Sequence, residues 1–177
     1  MLGKQKAGPG RMEEHGMHLF RSEPTPPDIR SADTVESADL RYVLEHWRTL
    51  KGVRAMPQRG EITPRDLKRC LPTVHIYDVI GGGADFRARL VGTGVYPGLD
   101  EDQTGKLISE HPDPGVRLRF MLVLRHVVET AEPARSVSFR RTGSLLHDMR
   151  TEGLWLPLGE GSGVENVLAI SALRPSG

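Results

Sequence analysis

The chain has 177 residues, 37% of them hydrophobic and 27% charged, with a formal net charge of +1. That length suits one domain with an appendage, and the near-neutral charge gives no general pull toward nucleic acid or an anionic membrane. Cys70 is the single cysteine, so no internal disulfide forms, and no apolar run reaches a bilayer span or the h-region of a secretory signal; a cytoplasmic protein is expected.

Residues 1–36 mix glycines, charges and the cluster Pro24-Thr25-Pro26-Pro27. They hold too little apolar surface to offset the entropy of ordering, so a disordered N-terminal tail is expected. Met12 and Met17 are internal methionines and so candidate translation starts, and His15 and His18 are expected in the solvated tail. Ser37–Leu50 is the first predicted helix, with Ser37 as cap and Asp39 near the positive end of the dipole. Leu40, Val43, Leu44, Trp47 and Leu50 make one apolar stripe, and Gly52 ends the helix. The stripe must be covered by the sheet or by another subunit, which makes these five residues the candidate interface of a homodimer. Thr63-Pro64 predicts a short proline-started helix, closed before Pro72. Residues 37–72 thus form an N-terminal helical extension.

The remaining residues, 73–174, are expected to form the core domain. Thr73–Ile80 and Asp85–Val91 are two strands joined by Gly81-Gly82-Gly83-Ala84. Strict alternation sends Phe86, Ala88 and Leu90 one way and Arg87 and Arg89 the other. Residues 95–114 are irregular, with short helical turns at most, for example Thr104–Ser109. Gly115–Ala131 is the second predicted helix, burying Val116, Phe120, Val123, Leu124 and Val127. Three strands follow: Ala134–Arg141, Leu145–Leu158 with a bulge or bend at Gly153, and Val164–Leu173. The fold class is therefore α+β. A five-stranded antiparallel sheet carries a helical crossover between strands two and three on one face, preceded by an amphipathic helix. That layout is the PAS fold.

Several stretches carry a resemblance to a known family. They are His46-Trp47 with Arg48–Gly52; Met56-Pro57 with Gln58-Arg59 and Ile62-Thr63-Pro64; Leu67 to Pro72 leading into a strand; Phe86 to Thr93; Asp102–Lys106; and Leu154–Leu158. In this order they resemble the PAS-like family common in alphaproteobacteria, over roughly residues 40–173. The proline in Gly94-Val95-Tyr96-Pro97 departs from the pattern. The resemblance implies a PAS fold, dimerisation and a sensory or regulatory role in signalling through a partner protein, with no catalytic residues to carry over.

A cavity between the crossover and the inner sheet face is a small-molecule site by default. Its candidate lining residues are Phe86, Leu90, Phe120 and Leu124. The alternative is a filled core that serves as a ligand-free dimerisation or interaction module. No cofactor or metal is assigned. His111 and His126 are weak axial-ligand candidates for haem and are expected in solvated or capping roles, and Cys70 lies outside the crossover where flavin photochemistry would need it. Neither Gly81–Gly83 nor Gly92-Thr93-Gly94 shows a phosphate-loop pattern. Ser144, His147 and Asp148 make a poor hydrolytic set, because strand neighbours face opposite ways. A cone-type α+β enzyme using Tyr77 and Asp78 is a further alternative. The leading expectation is a PAS-type sensory or regulatory domain acting by ligand- or partner-dependent protein–protein interaction, with no catalytic output segment of its own.

Overall fold

The structure, a computed structural model, describes residues 26–94, 103–140 and 149–175. A single antiparallel sheet of six strands is at its centre: β1 (Asp28–Ser31), β2 (Val74–Ile80), β3 (Asp85–Val91), β4 (Ala134–Arg140), β5 (Met149–Glu160) and β6 (Gly163–Pro175). Their spatial order is β1-β4-β5-β6-β2-β3. Two helices, α1 (Ala38–Lys51) and α2 (Pro114–Thr130), complete the framework.

Each helix takes a different face of the sheet. Alternation along β5 sends Leu154, Leu156 and Leu158 to one side, and β6 adds Leu168 and Ile170. The α1 stripe of Leu40, Val43, Leu44 and Trp47 packs there. Trp155, Val167 and Ala169 point to the other side and meet Phe120, Val123, Leu124 and Val127 of α2. The sheet is thus buried on both faces along its centre.

Several local expectations are corrected. The sheet has six strands rather than five, because residues 28–31 pair with β4 inside the segment expected to be disordered. Ser37 makes no side-chain cap; the carboxylate of Glu152 accepts from the amides of Glu36 and Ser37 instead. Residues 63–70 form successive turns rather than a helix, and Asp66 Oδ2 accepts from both the amide and the hydroxyl of Thr63. Leu67 and Cys70 from this stretch share a core with α1, β5 and β6, so residues 37–72 are part of the packed body rather than an extension of it. Gly153 is not a bulge, since it pairs in register with Ser171. A Cβ at Gly153 would lie 2.7 Å from Ser136 Oγ and 2.9 Å from Trp155 Nε1, so the glycine leaves room for the hydrogen bond between those two groups. The bulge in β5 falls at Leu158/Gly159.

Strand β3 departs most from simple alternation. Ile76 pairs with Leu90, but Tyr77 pairs with Ala88, which leaves Arg89 as the extra residue of a bulge. Phe86 and Ala88 face α2 as expected. Beyond the bulge the phase shifts by one, so Val91 joins them and Leu90 turns to the α1 side, where it is 42% exposed. Arg89 reaches Asp78 at 3.5 Å.

Candidate functional site

The α2 side of the sheet contains a cavity of about 30 Å³. It lies between β2, β3, the 3-10 turn Ile108–Glu110 and the first half of α2. Ala88, Val91, Ile108, Val116 and Phe120 form its apolar wall. The polar lining is His75, Tyr77, Gln103, Lys106 and His111.

Strand alternation places His75 and Tyr77 side by side, because residues two apart share a face. The Tyr77 hydroxyl lies 2.8 Å from His75 Nδ1. Both side chains are buried, and burial pushes the His75 pKa down to about 4. At neutral pH the ring is therefore uncharged, and the tautomer sets which of the two groups donates in this hydrogen bond. Behind this pair, Tyr77 stacks on Trp155 at 6.3 Å, and Phe120 meets both rings edge-on.

His111 comes from the other wall. It precedes Asp113, whose side chain caps α2 by accepting from the amides of Gly115 and Val116 at 2.7 and 3.0 Å. The Asp113 amide donates to His111 Nδ1 at 3.1 Å. Arg117 Nη1 donates to the His111 carbonyl at 2.9 Å. Burial lowers the His111 pKa, and the cations Arg117 and Arg119 act in the same direction against Asp113. The Nε2 atom is buried with no hydrogen-bond partner among the described residues.

Of the four residues expected to line the cavity, Phe120 does so. Phe86 and Leu124 are fully buried in the adjoining core, where they support the wall without lining it. Leu90 is on the opposite face because of the bulge. The five candidate interface residues are also reassigned: Leu40, Val43, Leu44 and Trp47 are buried within the chain and Leu50 half-buried, with Trp47 Nε1 donating to the Pro157 carbonyl at 2.9 Å. The stripe that needed a cover finds it in the sheet, so it is not a free dimer surface.

The other candidates separate cleanly. Tyr77 and Asp78 lie on opposite faces, and Asp78 is taken up by Arg89 and Asn166, so the two do not form a joint catalytic pair. His126 sits half-buried on α2. Among the described residues no group of three or more His, Cys, Asp or Glu side chains is placed to hold a metal. Gly81, Gly82 and Gly83 all have positive φ and make the hairpin turn, which Arg125 holds through the carbonyls of Gly83 and Ala84. Residues 95–102 and the triplet Ser144, His147 and Asp148 fall outside the described residues. Among the described residues no helix is long and apolar enough to cross a membrane.

Sequence reasoning named His111 only as a haem-ligand candidate expected in a solvated or capping role, whereas the ring is buried, and it did not name His75. The signal for His75 was its spacing from Tyr77 in a strand whose other face, Val74 and Ile76, is also apolar. For His111 it was the Asp113-Pro114 helix start just beyond it, which pins the ring near the first turn of α2. In comparisons with known proteins, a family model described as a PAS domain matches residues 35–170. No curated protein and no solved structure matches the chain.

Proposed function

Because this chain belongs to the PAS domain family, a family of sensory and regulatory modules, we propose that it detects a signal at the cavity beneath α2 and passes it on as altered contact with a signalling partner. The observation that carries this is the placement of His75, Tyr77 and His111, with Gln103 and Lys106, against the apolar wall of Ala88, Val91, Ile108, Val116 and Phe120. Filling that space with aliphatic side chains would stabilise the fold more, since burying polar groups carries a desolvation cost. Their presence fits a recognition task better than a structural one.

Transmission follows from the two-sided sheet. Trp155 contacts Tyr77 and Phe120 at the cavity, while its neighbours Leu154 and Leu156 pack against the α1 side. A shift of β5 is therefore felt on both faces. The outer face of α1, with Arg41, Tyr42 and Glu45 exposed, is the surface through which such a shift reaches a partner.

One observation favours a second reading. A cavity of about 30 Å³ is roughly a tenth of the smallest ordinary small-molecule pocket. A filled-core interaction module would have a void of this size. Crosslinking pull-downs from the native host separate the two readings. In Val116→Leu the added methylene occupies the cavity. The sensory reading expects this variant to fold and to change the set or amount of captured partners. Identical capture by wild type and variant, with no small molecule on the native protein by mass spectrometry, leaves the interaction module.

A further inference from the structure

The cavity proposed as the input site is also chemically selective, and the selectivity described here rests on that proposal. His111 Nδ1 accepts from the Asp113 amide at 3.1 Å. A neutral imidazole has one N–H, so the proton is on Nε2. That Nε2–H is buried and unpartnered among the described residues, on a side chain only 5% exposed. A buried donor of this kind calls for an acceptor.

The rest of the lining agrees with an acceptor that carries negative charge. Lys106 and Gln103 belong to the polar part of the lining, and no carboxylate lines the cavity among the described residues. Arg117 and Arg119 add positive potential at the His111 ring. The Tyr77 hydroxyl is directed at His75 and the opposite wall is apolar. Size sets the upper limit. About 30 Å³ has room for roughly two or three water-sized groups, which is a carboxylate head and little more.

We propose that the cavity takes a small monocarboxylate, of formate to propionate size, whose oxygen accepts from His111 Nε2–H. The short apolar end meets Ala88, Val91 and Phe120. Aromatic acids, nucleotides and macrocyclic cofactors are excluded by volume.

The test is a titration of the ¹⁵N-labelled full chain with formate, acetate and propionate, with methylammonium and acetamide as counter-probes. Saturable shifts are expected at the amides of Ala88, Val91 and Ile108 and at the His111 ring nitrogens, with none from methylammonium. His111→Gln should weaken binding by roughly tenfold or more. Val116→Leu, which leaves His111 untouched, should abolish binding and covers the case in which the His111 variant fails to fold. No saturable shift with any of the three acids at millimolar concentration overturns the proposal. So does an equal response to methylammonium, or unchanged binding in Val116→Leu. If the acids fail but Val116→Leu still alters the captured partners, the carboxylate falls and the sensory reading stands. If the acids bind but the captured partners never change, the sensory reading falls alone.

Discussion

Arg135 Nε donates to Glu152 Oε1 at 2.6 Å, with both side chains almost wholly removed from water. Glu152 also accepts from the amides of Glu36 and Ser37, and Arg135 reaches the Glu36 carboxylate at 2.6 Å. Arg150 holds Glu36 through both its terminal nitrogens. Burial pushes the Glu152 carboxyl up, but the two amides and Arg135 outweigh it and keep it below its usual range. Arg150 and Arg135 hold Glu36 down to about 2. The group ties β4 and β5 to the entrance of α1.

Removing one member should therefore cost far more than a surface ion pair does. Arg135→Met leaves Glu152 buried with its charge partner gone, and the expected loss is ~3–5 kcal/mol in urea unfolding. Adding Glu152→Gln to it should return part of that loss, because the Gln carbonyl still accepts from an amide and no charge is buried. A loss below ~1 kcal/mol in the single variant would show that water reaches the pair.

Acid should destabilise the fold in two stages. The His75 pKa is about 4 in the folded chain against an ordinary 6.5, so between these values the unfolded chain binds more protons. The stabilising contribution is complete above about 6.5, shrinks as pH falls, and is exhausted near 4, amounting to ~3 kcal/mol. His111 shifts in the same direction. Glu36 and Glu152, with depressed pKa values, lose their contribution at lower pH still. Urea midpoints measured from pH 7.5 to 4.5 should fall, and His75→Gln should flatten that slope.

The β3 bulge makes a paired prediction. Phe86→Ala should cost ~3–5 kcal/mol, since that ring is fully buried in the α2 core. Leu90→Ala, at a position 42% exposed, should cost less than ~1 kcal/mol. Equal losses would mean that Leu90 packs inward after all.

The α1 stripe is likewise open to test. Trp47→Phe strands the buried Pro157 carbonyl and should cost ~1–3 kcal/mol. The double substitution Leu44→Asp and Trp47→Asp should abolish the cooperative thermal transition, as expected when charges enter a core. A folded variant that sediments as a smaller species would return these residues to an intermolecular interface.

The elements with strong periodicity were legible in the sequence. The spacing of Leu40, Val43, Leu44 and Trp47 predicts a one-sided helix and α1 is one, but periodicity shows that a stripe is covered without showing by what. The Gly81–Gly83 turn was legible because only its glycines take those φ angles at no steric cost. Leu90 was misplaced because a bulge adds one residue without changing the alternating pattern. β1 escaped notice because four residues beside a proline cluster have too little pattern to read, and its existence depends on the partner strand. Arg135 carries no local signal of burial; its burial depends on Glu36 and Glu152, which are far apart in the chain.

The two ends of the sheet carry a consequence for solubility. An open strand edge is a template on which other chains polymerise. At one end the short strand β1, with Asp28 and Arg30 paired across its surface at 2.6 Å, covers Ala134–Val137 of β4. At the other, β3 is met by residues 105–107, where the Ala88 amide donates to the Lys106 carbonyl at 3.0 Å and Arg87 bridges Leu107. One end thus presents only a short, charged edge strand, and the other an edge met in part by residues 105–107. A chain shortened past Ser31 would present the edge of β4 at Ala134–Val137 in place of this four-residue strand.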